Sequence, residues 1–333
     1  MPSEMFLTEE QKHCLMSVEQ PVGHVDIEKD HINMFSTAIQ DDNPLWSDED
    51  SARVRRYGGL IAPPTFSRFI GFAARPKVHW QDGLPGTVSV DGGTEWDYFF
   101  PIRPGDRIAV HRKVMDVFER QGRSGPLLFV IMESSFINQF DQTVVIQRST
   151  SIRYDALSGG GRLSSTKKTG KTDDFLSEIS IDKNLPDRGG DQLHWDDVAP
   201  GDDIPARMNM TSTQDLVKYA AASRDFSEIH YDRDFAESIG LPGLILHGAL
   251  KAAYLGRLVT DWIGELGDLK RLGCQHRGMD RPGEPTLCKG KVKAKMVKSG
   301  EHLVDCDVWL QSSDGRQTAP GWATVALPLR SVK

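Results

Sequence analysis

Cysteine, long apolar runs and excess positive charge are all scarce in this chain. The four cysteines, Cys14, Cys274, Cys288 and Cys306, form no C-x-x-C pair and no closely spaced zinc pattern, which favours reduced thiols. No stretch approaches the roughly 20 apolar residues of a membrane span, and the N-terminus has no apolar run of signal-peptide length. A net charge of −7 disfavours nucleic-acid binding. These absences predict a soluble, cytoplasmic protein that binds neither membranes nor nucleic acid.

The chain contains one pattern of residues twice, with matching positions 184 residues apart. We call this pattern the repeated frame. Asp225 and His230, five positions apart, correspond to Asp41 and Trp46 in the first half. The register continues through two further matches: Gly59–Ile61 with Gly243–Ile245, and Pro63–Pro64 with His247–Gly248. The sequence therefore indicates a duplicated unit that keeps its polar groups in the second copy only.

The length of 333 residues and the repeat predict two domains. We place them at residues 1–155 and 193–333, joined by a polar linker rich in Gly, Ser and Lys over residues 156–192. Each copy has the same predicted order: a short helix, the motif loop, a second short helix, a longer helix and then strands. The predicted strands are Arg107–Phe118, Pro126–Asn138 and Gln142–Tyr154 in the first copy, and Leu287–Val297, His302–Gln311 and Gly321–Leu327 in the second. This order favours an α+β fold in which an antiparallel sheet wraps a long central helix, twice in one chain.

The spacing of Asp225 and His230 constrains the local backbone. On a continuous α-helix the two side chains would point about 140° apart. We therefore expect the helix that begins near Thr211 to end near Asp225, so that both side chains face one space. A carboxylate and an imidazole placed together can hold a water molecule and divide acid and base work. The alternative is that Asp225 caps a helix and His230 packs in the core.

His247 and Gly248 open the predicted central helix of the second copy. The first N–H groups of a helix have no internal partner and lie at the positive end of its dipole, so the Gly248 N–H is a candidate donor to an oxygen that gains negative charge. Pro64, the counterpart in the first copy, has no N–H, although proline is also favoured in a first helical turn for its own sake. The first copy thus lacks both groups, which predicts a single active site in the second.

These residues resemble the signature of the MaoC-like hot-dog hydratases, also called (R)-specific enoyl-CoA hydratases or hydratase 2. That signature has an aromatic residue, then Asp-x-Asn-Pro-(Leu/Ile)-His, then an aliphatic residue and His-Gly at the start of the central helix. The matching residues here are Tyr219, Asp225, Ile229, His230, His247 and Gly248, with Ser227-Glu228 in place of Asn-Pro. The first half, with Asp41–Leu45 and Ala62–Phe66, resembles the non-catalytic N-terminal MaoC-type dehydratase domain.

The resemblance implies two tandem hot-dog domains that form an intrachain pseudo-dimer, with reversible hydration of a 2-enoyl thioester to the (R)-3-hydroxyacyl thioester. Asp225 and His230 would activate water, the Gly248 N–H would bind the thioester oxygen, and Tyr219 and His247 would contact the substrate. No metal or redox cofactor is expected, and coenzyme A enters as part of the substrate unless acyl carrier protein is the carrier. The degenerate half would shape the pocket for a bulky, branched or long acyl group.

Several candidates have simpler readings beside the functional one. Trp46 either lines the acyl pocket or packs in the core. Arg277 and Arg281, near the predicted site, are candidates to bind coenzyme A phosphates. No second histidine joins Asp225 and His230 at a metal-ligand spacing. The competing functions are a hot-dog thioesterase and a non-catalytic acyl-binding subunit, and the chain is expected to be a monomer or a homodimer.

Overall fold

The computed structural model describes residues 7–17, 23–53, 55–74, 84–122, 125–155 and 192–330. The helices within these ranges are α1 (Glu9–Ser17), α2 (Lys29–Ala38), α3 (Pro44–Ser47), α4 (Glu49–Arg53), α5 (Ser67–Ala73), α6 (Thr213–Ser223), α7 (Arg233–Ser238) and α8 (Gly248–Ile263). The strands are β1 (Gly23–Asp26), β2 (Val88–Tyr98), β3 (Arg107–Gly122), β4 (Gly125–Ile137), β5 (Thr143–Tyr154), β6 (Asp203–Met210), β7 (Asp268–Gln275), β8 (Pro285–Lys298), β9 (Glu301–Ser312) and β10 (Gln317–Ala326). The predicted linker lies outside the described residues except for Gln192.

All ten strands form one antiparallel sheet in the order β1-β3-β4-β5-β2-β7-β10-β9-β8-β6. Each half contributes five strands in the same internal order, and the two halves meet where β2 pairs with β7, from Gly93 opposite Gln275 to Asp97 opposite Arg271. The sheet therefore has the symmetry of a dimer within one chain. This confirms the predicted α+β fold of two tandem units that form a pseudo-dimer.

The duplication extends to single hydrogen bonds of the backbone. In the Arg-Pro-Gly turn of each half the glycine has a positive φ, 87° at Gly105 and 83° at Gly283. The Gly105 N–H donates to the Ile27 carbonyl and the Gly283 N–H donates to the Thr211 carbonyl, both at 2.7 Å. Only glycine adopts this conformation without strain. The two acceptors stand at equivalent positions of the repeated frame, so the repeat in the sequence is a repeat in the backbone.

Helix α8 is the buried centre of the second half. Its apolar face, which includes Leu250, Tyr254 and Leu258, is at most 2% exposed, as the three-to-four spacing predicts. In the first half a 3₁₀ turn over Pro64–Phe66 leads into α5, and a helix as long as α8 would extend in the repeat register to residue 79, beyond the described residues. One hydrophobic core contains side chains from both halves, so α5 lies directly against the second half.

The sequence analysis underestimated the sheet. Three strands per copy were predicted, whereas each half has five. Four strands were missed. The strand β1 has only four residues, β2 contains Gly92–Gly93, β6 contains Pro205 at the edge of the sheet, and β7 contains Gly273 among charged residues. Helix α1 was also not predicted. Among the helices in the described ranges, none combines the length and apolar character that crossing a membrane requires.

Candidate active site

The loop between α6 and α7 turns the Asp225 and His230 side chains towards one region. Helix α6 ends at Ser223, and Arg224 adopts a left-handed conformation with φ 60°. Ser227 (φ −67°, ψ 126°) then starts a 3₁₀ turn that ends at His230. Asn43, its counterpart in the first copy, has nearly the same backbone angles (φ −57°, ψ 125°). The predicted end of the helix is confirmed, and the loop keeps the same backbone at these two positions without Asn-Pro.

His230 is placed to act as a neutral base. Its Nδ1 lies 2.8 Å from the Ile245 carbonyl oxygen. Since a carbonyl can only accept, this bond assigns the ring proton to Nδ1 and leaves a lone pair on Nε2. Burial lowers the pKa of His230, and the bond to Ile245 and the charge of Asp225 oppose only part of that effect. The imidazole is therefore uncharged at neutral pH and can take up a proton.

His247 and Tyr219 support the His230 ring. The His230 and His247 rings are stacked with centroids 3.6 Å apart, and the Tyr219 ring meets His247 edge-on at 4.9 Å. His247 Nε2 lies 3.3 Å from the Asp225 carbonyl oxygen, so this side chain also ties the loop to the start of α8. Burial, and then the neighbouring His230, lower the pKa of His247 to about 2. The structure thus brings these predicted residues together, while contact of Tyr219 or His247 with substrate stays a prediction.

Gly248 begins α8, where its N–H cannot bond within the helix. The side chain of another residue lies against this glycine. A Cβ added at Gly248 would lie 2.6 Å from Cδ2 and 2.8 Å from Nε2 of His276. The absence of a side chain here makes room for that imidazole. His276 follows β7 and carries no motif that sequence analysis could have used.

The first half contributes two charged side chains that sequence analysis also missed. Arg68, on α5, has Nη2 3.9 Å from Asp225 Oδ2 and 3.5 Å from Asp91 Oδ2. Asp91, on β2, has Oδ1 3.8 Å from His276 Nε2. Burial opposes the charge of Arg68, but Asp91 and Asp225 together raise its pKa. Burial lowers the pKa of His276 to about 4 although Asp91 is near. The candidate site is therefore shared between the halves.

A cleft of about 510 Å³ opens beside these residues. Arg68, Asp91 and Asp225 are part of its wall, and β4 adds the apolar side chains of Val130 and Met132. Its remaining lining residues are Phe72, Ser89, Val90, Ser149, Thr150, Ser151, Arg224, Phe226 and Ser227. The cleft is within the size range of small-molecule sites, and strands of the first half form much of its wall.

The repeated frame of the first half has a different environment. Asp41 is buried, and its Oδ1 lies 3.9 Å from Nε of Arg257 on α8. Arg257 also donates to Asp42 at 3.2 Å. Trp46 is 2% exposed and belongs to the main hydrophobic core. The two aspartates of this frame thus lie near Arg257, Asp41 inside the protein and Asp42 at its surface.

None of the five predicted substrate contacts is among the residues that line the cleft, and neither His230 nor Gly248 is. Trp46 is 2% exposed within the hydrophobic core, which supports the packing alternative. Arg277 is exposed and donates to Gln275 Oε1 at 2.6 Å, and Arg281 is exposed in the Arg-Pro-Gly turn. No contact found within the described residues joins either arginine to Asp225 or His230. Within the same ranges, no three His, Cys, Asp or Glu side chains are grouped to hold a metal ion.

The buried histidines predict a fold that weakens in acid. Burial lowers the pKa of His230, His247 and His276 in the folded chain, and unfolding returns each to its ordinary value near 6.5. Below that pH the unfolded chain binds protons that the folded chain does not, so stability falls as pH falls. Urea unfolding should give a lower free energy at pH 5 than at pH 7, with a smaller difference in His276→Asn. A flat pH dependence in the wild-type chain would contradict the assignment of neutral histidines.

Two family models match separate parts of the chain. Residues 15–147 match the family described as FAS1-like, dehydratase domain region, and residues 197–308 match the MaoC like domain. A UPF0336 protein of Streptomyces avermitilis is 35% identical over 92 residues, which cover 27% of this chain and 61% of that protein. The chain thus spans about three fifths of the length of this relative.

Solved structures share the whole fold. A MaoC-like dehydratase superposes with a TM-score of 0.74 at 20% identity, covering 94% of this chain and 97% of its own. A conserved hypothetical protein from Mycobacterium tuberculosis, described as having a double hotdog fold, superposes with a TM-score of 0.63 at 12% identity, covering 92% and 95%. These likenesses confirm the predicted hot-dog fold of both halves. The chain therefore has a double hot-dog fold whose second half contains a MaoC like domain.

Proposed function

We propose that this protein catalyses the reversible addition of water to the double bond of a 2-enoyl thioester, giving the (R)-3-hydroxyacyl thioester. The observation that carries the proposal is a buried, neutral His230 whose free Nε2 belongs to the same site as the Asp225 carboxylate. His230 also stacks on His247, the residue directly before the free N–H of Gly248. The match of residues 197–308 to the MaoC like domain supports a hydro-lyase over other reactions of acyl thioesters.

In the proposed reaction, Asp225 and His230 hold the attacking water. His230 Nε2 takes a proton from the water as its oxygen bonds to carbon 3, and the electrons of the double bond move towards the thioester carbonyl. The Gly248 N–H donates to the carbonyl oxygen as negative charge develops there. The proton is then returned to carbon 2, so the net change is the addition of one water molecule. Each of these steps needs only groups of this chain, and no metal or redox cofactor takes part.

The cleft beside Asp225 is the proposed place of the acyl group. Its volume of about 510 Å³ is more than a four-carbon acyl group requires, which supports a long, branched or ring-bearing substrate. Its walls on β2, β4 and β5 give the first half a direct part in substrate choice. The proposed carrier is coenzyme A or acyl carrier protein, and the CoA thioester is the practical probe.

Incubation with crotonyl-CoA tests the proposal. Loss of the enone absorbance without release of free thiol is the expected result. Release of thiol would mean hydrolysis and would refute the proposal in favour of a thioesterase. A panel of enoyl-CoAs that differ in chain length and branching extends the test to larger substrates. If none of them reacts, the chain is a non-catalytic acyl-binding protein.

A further inference from the structure

We propose that Arg68 of the first half is a positioning residue for the active site of the second half, where it holds the Asp225 carboxylate in the orientation that binds the attacking water. Asp91 in turn holds Arg68. This inference rests on the proposed hydration at Asp225 and His230. It gives the degenerate half a part in the chemistry, beyond shaping the acyl pocket.

The contacts of Arg68 carry the first step. Its side chain is 13% exposed, and one nitrogen, Nη2, lies 3.5 Å from Asp91 and 3.9 Å from Asp225. Within the described part of the chain, Arg68 Nε and Asp91 Oδ2 are buried without a hydrogen-bond partner. Buried polar atoms in this state are costly unless water or a ligand satisfies them. The guanidinium therefore lies inside the polar part of the site and not on its surface.

The backbone around Asp91 fixes the orientation of its carboxylate. The pairing of β2 with β5 shifts register between Asp91 and Gly93, which marks a β-bulge, a device that redirects side chains beside sites. The Gly93 N–H donates to Asp91 Oδ1 at 3.0 Å. Gly93 has φ 148°, and a Cβ there would lie 2.5 Å from the Cys274 carbonyl oxygen on β7. Asp91 is thus fixed at the junction of the two halves.

The charge balance favours a positioning role over binding of an anion. The Arg68 guanidinium faces two carboxylates, Asp91 and Asp225, so its own charge is already compensated, although Arg224 also lines the cleft. At 3.9 Å the contact with Asp225 is an ion pair that is longer than a hydrogen bond, so what the cation can do is orient the Asp225 carboxylate through its charge. Because Nη2 approaches Oδ2, the other oxygen of Asp225 is left for water.

The first half offers a matched control. Arg257, on the central helix of the second half, lies 3.9 Å from Asp41 in the first half. Each half thus has an arginine near the aspartate of the repeated frame in the other half. The Asp41 frame has Trp46 and Pro64 in place of the histidine and the N–H donor. The two arginines therefore make the same kind of contact with different chemistry around it, although they stand at different positions of the frame, since Arg257 corresponds to Ala73 and Arg68 to Ala252.

The test compares Arg68→Gln, Arg68→Lys and Arg257→Gln in the full chain with crotonyl-CoA. We expect Arg68→Gln to lower kcat by about 10²-fold, the scale of a small misplacement of a reacting group, with a smaller change in KM. Arg68→Lys keeps the positive charge but not the planar guanidinium. Its kcat should therefore lie between those of the wild type and Arg68→Gln. Arg257→Gln should keep the wild-type kcat and lower the thermal midpoint.

A double-mutant cycle shows whether Arg68 acts through Asp225. In an Asp225→Asn background, Arg68→Gln should cost little further activity, and added guanidinium should restore part of the rate of Arg68→Ala. Wild-type kcat in Arg68→Gln, or the same loss in both backgrounds, would overturn the inference. If Arg68→Gln does not fold, a wild-type kcat in Arg68→Lys would overturn it. Absence of hydration in the wild-type chain would instead refute the proposed function.

Discussion

Asp225→Asn and His230→Gln are each expected to lower kcat for hydration of crotonyl-CoA by about 10²- to 10⁴-fold, the range that general acid–base groups supply. Both replacements keep the approximate size of the side chain, so the loss should come from proton transfer. Glutamine cannot take the proton that His230 Nε2 accepts, and asparagine places an N–H donor where Asp225 accepts from water. The enone absorbance gives the rate, and circular dichroism checks that the variants fold.

Asp41→Asn is the matched control, because Asp41 is the counterpart of Asp225 in the repeated frame. Its carboxylate accepts from the Asn43 N–H at 3.2 Å and lies 3.9 Å from Arg257. Loss of this charge should lower the thermal midpoint and leave kcat unchanged. If Asp225→Asn or His230→Gln keeps wild-type turnover, the acid–base assignment is wrong. If Asp41→Asn lowers kcat as strongly as Asp225→Asn, the claim of a single site is wrong.

Gly248 gives the second large expected effect. Gly248→Ala keeps the N–H but puts a Cβ 2.6 Å from the His276 ring, so this imidazole must move and kcat should fall. Gly248→Pro adds the same clash and also removes the N–H, as Pro64 does in the first half. Loss of a single donor to a developing oxyanion costs about 10²- to 10³-fold, and this is the expected difference between the two variants.

Comparison of the two variants isolates the donor, because proline is accepted in the first turn of a helix. The measurements are kcat with crotonyl-CoA and the thermal midpoint of each variant. Equal rates for Gly248→Ala and Gly248→Pro would show that the N–H does not take part in the reaction. A Gly248→Ala variant with wild-type kcat would show that the position of His276 does not matter for turnover.

The second-half residues of the site could be predicted because they lie close together in the sequence. Asp225 and His230 share one loop, and their spacing alone required the helix to end. The repeat then marked Gly248, since only the second copy has an N–H at that position. A local pattern determines these positions, so sequence analysis could place them before the sheet was known.

The remaining residues of the site, Arg68, Asp91 and His276, could not be predicted, because they come from parts of the chain that are distant in sequence and meet only in the folded sheet. Arg68, on a helix of the first half, approaches Asp225, and Asp91, on a strand with an interrupted pattern, approaches Arg68. His276 arrives from the end of β7. Charged residues of this kind are indistinguishable from surface residues in one sequence, which is also why exposed Arg277 and Arg281 were proposed as phosphate ligands.

The central claim is that this chain adds water to carbon 3 of an enoyl thioester, and the position of oxygen from labelled water tests it most directly. The wild-type chain is incubated with crotonyl-CoA in water enriched in oxygen-18, and the products are analysed by mass spectrometry. The account predicts label in the 3-hydroxyl group of an intact CoA thioester. Label in a free carboxylate, with coenzyme A released, would contradict it.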